Sequence, residues 1–258
     1  MIDLTWYKFN KYLFEEKSHT YHYYDKVVKF SVTQFIHKYF EDFDTETIAT
    51  KYALKHNLHK DDVIKDWDIN SKIASCTGTI IHKYLEDLKR GKQFEIDYSE
   101  AIQLNLLDEV KDRVSVLLPK ATKFHQDTLD KLFPLQLEFT VGIEDYIAGN
   151  IDMLCYNQKA DEIQIWDYKN CKEIKTSNIF RKCLPPFNAY DDCNFIKYSI
   201  QQSMYKAIIY YTLGIKIGKF YLVHFDYTKL NDEFDIYECY DFTEICLSEL
   251  QKLVDKSK

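Results

Sequence analysis

At Pro134 the chain changes its periodicity, and few folds accommodate that change. Upstream, apolar residues recur at helical spacing; downstream they form extended runs separated by short polar turns. The segment Phe30 to Phe40 opens with Ser31 and Gln34, a capping box, which predicts a first helix from about Val32. Thr45 to Lys55, Asp61 to Ile73 and Gly78 to Arg90 read as further helices, the last burying a stripe of Ile81, Tyr84, Leu85 and Leu88. Glu100 to Leu118 and Ala121 to Leu132 complete the helical half. After Pro134, LQLEFTVG, YIAGNIDMLCY and EIQIWDYKN read as a β-meander. A poorly patterned, lysine-containing stretch follows from Cys171 to Phe195, where Pro185 and Pro186 block regular structure. A helix from about Tyr198 to Leu213, strands from Lys219 and around Asp235 to Tyr240, and a closing helix from about Thr243 end the chain. The expected architecture is one α/β domain over residues 1–258, mostly helical over 1–133, with a sheet core and flanking helices over 134–258.

Composition narrows the function. Six glycines, four prolines and 46% apolar residues exclude repetitive or disordered classes. No apolar run approaches the ~18 residues of a membrane span. The N-terminal segment alternates aromatic and charged residues, unlike a signal peptide, so a cytosolic protein without a membrane partner is expected. Seven cysteines show no metal-ligand spacing and read as reduced thiols. The cations are 31 lysines and 3 arginines (Arg90, Arg113, Arg181), which makes sequence-specific reading of guanine an unpromising role. A net charge of −7 argues against simple coating of nucleic acid. A bound divalent cation could still bring a phosphate to an acidic protein.

The meander carries the chemistry. A turn centred between Lys159 and Ala160 places Asp152 directly opposite Asp167. Two carboxylates about 5 Å apart repel by roughly 3 kcal/mol at an effective dielectric of 20. Lys169 points to the same face, as do Leu154, Ile163 and Ile165 farther along, so the hairpin is apolar at one end and ionic at the other. Paired aspartates with room for water and phosphate suit Mg²⁺ or Mn²⁺. Glu138, on the preceding strand, is a third carboxylate; a turn near Ile143 to Asp145 would set it opposite Gly149 or Asn150. Gly149, within a strand, suggests close approach by another group. His82 and Glu86 share one face of the Gly78 helix, where an imidazole can reach a metal on an adjoining sheet. Lys197, Gln201 and Tyr205 follow one another at single helical turns and offer donors to phosphate. Between Lys169 and Lys182 the cations Lys172, Lys175, Arg181 and Lys182 join Lys169 against one glutamate, which suggests a loop contacting a nucleic-acid backbone.

Taken in order, GTIIHKYLE, LQLE, AGNIDML, IWDYK and YSIQQSMY resemble the PD-(D/E)XK nuclease superfamily, specifically its RecB-like exonuclease branch. The matching residues are Gly78, His82 and Glu86; Glu138; Gly149 and Asp152; Asp167 and Lys169; Gln201 and Tyr205. FSVTQFI and the Pro185-Pro186 stretch further resemble nucleases of the mitochondrial-genome-maintenance type and related phage enzymes. The resemblance implies a restriction-endonuclease-like core, a central mixed β-sheet flanked by helices. It implies that His82, Asp152, Asp167 and the backbone carbonyl of Tyr168 hold the metal, that Lys169 is catalytic, and that Gln201 and Tyr205 orient the lysine or the DNA. The role of Glu138 varies within that superfamily. Some relatives hold an iron–sulfur cluster through four cysteines; Cys239 and Cys246 lack a third nearby partner, so no cluster is expected.

The function so implied is metal-dependent hydrolysis of DNA, as a non-specific exonuclease in recombination, repair or replication. Its substrate would be DNA with a free end or a single strand, in the cytoplasm of a bacterial or phage-infected cell, with a possible recombination or strand-annealing protein as partner. The alternatives are a nucleic-acid-binding scaffold that keeps the fold without turnover, and a structural protein whose carboxylates merely pair with lysines.

Overall fold

The computed structural model describes residues 11–15, 18 and 20–255. Most of the N-terminal segment considered above for a leader lies outside those residues. Among the described residues no helix is long and apolar enough to cross a membrane.

The elements are β1 (Tyr12–Glu15), β2 (Thr20–Tyr23), β3 (Lys26–Val27), β4 (Phe30–Ser31), α1 (Val32–His37), α2 (Thr45–His56), α3 (Lys60–Lys89), α4 (Ser99–Gln103), α5 (Leu107–Asp127), β5 (Phe133–Ile143), β6 (Ile147–Asn157), β7 (Glu162–Lys169), α6 (Asn194–Leu213), β8 (Phe220–His224), β9 (Asp235–Glu238) and α7 (Thr243–Asp255). Strands β1 to β3 form a small antiparallel sheet. The other six form a mixed sheet in the order β4-β6-β7-β8-β9, with β5 also paired to β6. β4 and β8 run parallel to their neighbours β6 and β7; the remaining pairs are antiparallel.

Each face of the large sheet is covered by helices, so it can bury side chains on both sides. Leu154, Ile163, Ile165, Phe220 and Leu222 pack with Ile200, Met204 and Ile208 of α6 and with Leu250 of α7. Met153, Cys155, Trp166, Tyr168 and Val223 pack on the opposite face with Ile81 and Leu85 of α3 and Leu117, Ala121 and Phe124 of α5. The protein is thus a mixed α/β structure with a mixed sheet between helical layers.

Three expectations are corrected. The two helices expected over 61–73 and 78–90 are one, α3, because Ile73, Cys76, Thr77, Ile80 and Ile81 continue a single buried stripe across the join. The break expected near Pro119 falls earlier, between α4 and α5, where Asn105 adopts φ 56° and the Leu106 N–H closes on the Ala101 carbonyl; Pro119 lies inside α5. Finally, the first part of the chain carries four short strands not anticipated in a helical half. The capping box forms: Ser31 accepts from the Gln34 N–H at 3.0 Å while Gln34 accepts from the Ser31 N–H at 2.9 Å. Because Ser31 is paired with Ala148, that cap starts α1 directly beside β6.

Candidate metal centre

The expected register of β6 and β7 is present. Met153 pairs with Trp166 and Leu154 with Ile165, so the next step along would match Asp152 to Asp167. That step is where the two strands separate. The backbone N–H of Tyr168 donates instead to the Asp152 carboxylate, at 2.7 Å. Asp152 therefore closes the open end of the ladder and is fixed by the backbone it caps.

Glu138 departs from its expected partner. Ile143 pairs with Ile147 around a three-residue loop, Thr140 with Asn150 and Val141 with Gly149, and the same register brings Glu138 to the position facing Asp152. The loop is centred one residue later than the sequence suggested, because Tyr146 N–H closes on the Ile143 carbonyl and Glu144 takes φ 44°. Glu138 itself has φ 51°, a left-handed conformation that a non-glycine residue adopts only at a cost of about 1–3 kcal/mol. Its effect is visible in the packing. Leu137 and Met153 belong to the layer with α3 and α5, whereas their pair-mates two residues on, Phe139 and Ile151, belong to the layer with α6. Residues two apart in a regular strand share a face, so both strands change sides at Glu138 and Asp152, and the two acids lie at that crossing.

His82 of α3 completes the group. Its Nδ1 lies 3.6 Å from Asp152 Oδ1 and 3.9 Å from Glu138 Oε1, and the donor atoms of the three residues lie within 4.8 Å of one another. His82 Nε2 is 3.2 Å from the Tyr168 carbonyl. A carbonyl only accepts, so Nε2 carries the hydrogen, and in the neutral ring Nδ1 presents its lone pair to the acids. Outer contacts of this kind orient histidine ligands in metal sites.

The four residues expected to hold metal are thus divided. His82 and Asp152 join Glu138 in the cluster, the Tyr168 carbonyl acts through His82, and Asp167 forms a buried ion pair with Lys169. Burial, with a smaller contribution from Asp152, raises the Asp167 carboxyl to about 6 although Lys169 opposes the shift. Burial alone would depress Lys169, but Asp167 and Asp152 outweigh it and hold the ammonium protonated. Its Nζ also lies 4.9 Å from the centre of the Tyr198 ring. Burial and the neighbouring charges of Asp152 and Glu86 push Glu138 up to about 9. The shift favours the protonated form of Glu138 in the absence of a cation, and a doubly charged ion would remove the repulsion. One imidazole nitrogen and two carboxylates form a donor set that fits a small divalent metal.

The remaining candidates lie around this centre. Glu86 is engaged by Lys83 at 3.0 Å and Arg90 at 2.8 Å on its own helix. A side chain at Gly78 would meet Asn170, which donates to Thr77 at 3.1 Å and ties α3 to the end of β7. A Cβ on Gly149 would lie 2.6 Å from the Tyr205 ring and 3.0 Å from Val32; the glycine makes room for both. Gln201 donates to the Tyr205 hydroxyl at 2.9 Å and faces Thr33 at 3.4 Å, so its hydrogen bonds do not reach Lys169. In the loop, Lys182 pairs with Asp191 at 2.6 Å and Arg181 with Glu41 at 3.7 Å, which lowers the net positive charge read from the sequence. Lys175, Arg181 and Lys197 line an open cleft of about 430 Å³. Lys172 is exposed.

Three neighbours contribute beyond the expected site residues, Asn150 among them as more than a strand partner. Tyr198 belongs to the Tyr198, Gln201, Tyr205 stripe, whose i, i+3, i+7 spacing could have disclosed it. Asn150 donates to Glu138 and accepts from Thr140 at 3.1 Å. Tyr21, whose phenol is raised to about 12 by burial and then by Glu138 and Asp152, comes from β2 and has no spacing relation to the motifs.

What the fold and site define is a mixed α/β protein with a candidate His–Glu–Asp metal centre beside a buried Asp–Lys pair. No protein-family model matches the chain, and no curated protein does. Among solved structures it is similar to the crystal structure of SSO0001, with a TM-score of 0.27 and 10% identity over 74% of this chain and 85% of that one.

Proposed function

We propose that the protein is a Mg²⁺- or Mn²⁺-dependent deoxyribonuclease of the PD-(D/E)XK, RecB-like type, with a restriction-endonuclease-like core, acting on DNA ends without sequence specificity. The observation that carries this reading is the convergence of His82, Glu138 and Asp152 next to the buried Asp167–Lys169 pair. His82, Glu138 and Asp152 would hold the ion, with Asp167 beside them. A bound divalent cation supplies charge neutralisation at a phosphodiester and a lowered pKa for water. Within the protein, Tyr168 fixes Asp152 through its N–H and His82 through its carbonyl, so ligand orientation is set by one peptide segment. Lys169, held protonated at the end of β7, offers an ammonium to the charge that develops on phosphate oxygens. Gln201 and Tyr205 form a hydrogen-bonded donor pair that buttresses β6 at Gly149.

The test is incubation of end-labelled linear DNA and circular DNA with the protein, in Mg²⁺, Mn²⁺ and EDTA. Progressive shortening of linear DNA that EDTA stops, with the circle intact, supports the reading. DNA binding without cleavage in either metal favours the scaffold alternative and overturns it.

A further inference from the structure

The loop between β7 and α6 carries two adjacent large apolar residues almost entirely in solvent: Ile179 is 87% and Phe180 88% exposed. Scattered single exposures are ordinary on a protein surface, but a paired tip is different when the chain around it is held in place. Here it is held. Asn178 receives the Phe180 N–H at 3.0 Å, donates to the Asp192 carbonyl at 2.7 Å, and its own N–H donates to Asp191 at 2.9 Å. Lys182 and Asp191 form a β-bridge just beyond. The near end is fixed by His224, whose Nε2 lies 2.7 Å from the Cys171 carbonyl, and by Asn194, which receives the Lys175 N–H at 2.7 Å. The loop thus presents the pair in a set position and leaves it uncovered.

Its surroundings select the occupant. Ile179 and Phe180 border a shallow pocket of about 310 Å³ together with Lys175, Ser177, Asn178 and Asp192. Lys175 lines that pocket and forms no ion pair among the described residues, so its ammonium is available beside the tip. An aromatic ring with an ammonium group beside it matches the two features of a single nucleic-acid strand, stacking bases and an anionic backbone. A duplex hides its base faces and offers the ring nothing to stack on. Phe180 stands eleven positions beyond Lys169, which limits the separation of their Cα atoms to about 40 Å. A strand lying from one to the other would cover a few nucleotides to about a dozen, within the usual range of single-strand sites.

We propose that Phe180, flanked by Ile179, is a stacking platform for an unpaired base, and that the substrate is engaged as a single strand or a frayed end. This rests on the nuclease reading and specifies its substrate.

Binding of labelled oligothymidine and of a blunt duplex of equal length is measured by anisotropy, with calcium in place of magnesium. Phe180→Ala is expected to weaken single-strand binding by about 5- to 150-fold, the span of one lost base–aromatic stack, and to leave duplex binding unchanged. Phe180→Trp restores affinity, and its fluorescence is quenched by the single strand. An equal loss on both substrates overturns the proposal. So does no loss on either, which would assign the tip to a protein partner. Cleavage by the unsubstituted protein separates the two readings: metal-dependent cleavage with unaltered binding by Phe180→Ala removes only the platform, whereas no cleavage and no binding removes both.

Discussion

Asp152 and Tyr168 stand on strands that part company at this point, and the 2.7 Å hydrogen bond from the Tyr168 N–H to the Asp152 carboxylate occupies the rung the strands do not make. Asp152 thereby has two tasks, capping a backbone donor and facing His82 and Glu138. Asn separates them, since its amide oxygen still accepts from Tyr168 while the charge is gone. Asp152→Asn is expected to keep the fold, with thermal unfolding within a few degrees of the parent, and to lose at least ~100-fold in cleavage. Even residues that only orient metal ligands are worth about 10–100-fold in metal affinity. Retained activity would show that Asp152 is a structural cap alone.

The Asp167–Lys169 pair answers differently to the same substitution. Asp167 is buried and Lys169 keeps a fifth of its side chain exposed. Removing one partner of such a pair leaves the other charge uncompensated, a loss of about 3–5 kcal/mol for fully buried pairs. Asp152 still faces the Lys169 ammonium and a fifth of the lysine is exposed, so Asp167→Asn is expected to destabilise by less than that, about 1–3 kcal/mol. Adding Lys169→Met should recover most of this while activity stays absent. Denaturant midpoints at constant slope provide the check; an additive loss in the double variant would mean the two residues are not coupled.

The parts of the centre that follow from strand alternation were legible in the sequence. The β6–β7 register up to Met153 and Trp166 needed only the position of the Lys159–Ala160 turn, though the strands part before Asp152 and Asp167 can pair, and the start of α1 needed only the Ser31–Gln34 box. Glu138 was recognisable as a third acid, but its place was not. A left-handed residue inside β5 and a loop centred one residue later both alter the register without leaving a glycine or proline to mark them. Tyr21 comes from a separate small sheet, joined to the site only in three dimensions. The pairing of the cations between Lys169 and Lys182 was not legible, because counting along the chain cannot reveal that Arg181 meets Glu41 and Lys182 meets Asp191.

Gly149 ties the sheet to α6. A methyl group there would press to 2.6 Å on the Tyr205 ring and 3.0 Å on Val32, both buried. Neither neighbour can swing out to solvent, so Gly149→Ala is expected to cost about 1–3 kcal/mol through overpacking. Trimming the ring, in Gly149→Ala with Tyr205→Leu, should return part of that stability. Calorimetric unfolding of the single and double variants decides the matter; a neutral Gly149→Ala would mean the ring has room to move.

Glu138 gives the metal-free protein an expected pH dependence. Burial, then the charges of Asp152 and Glu86, raise its carboxyl from the ordinary 4.5 to about 9. The folded state thus binds this proton more tightly than the unfolded chain. The resulting contribution to stability is complete below pH 4.5 and is lost as pH rises through about 9. In EDTA, the unfolding temperature is expected to fall as the pH is taken up toward 9, and Glu138→Gln should flatten that decline. If the cluster holds manganese as proposed, the ion would displace the same proton, so its affinity is expected to strengthen over this interval, with about one proton released per ion near neutral pH. Calorimetry in buffers of different ionisation enthalpy measures that release. Binding heats that do not depend on the buffer would mean that Glu138 is already ionised, or that the ion binds without it.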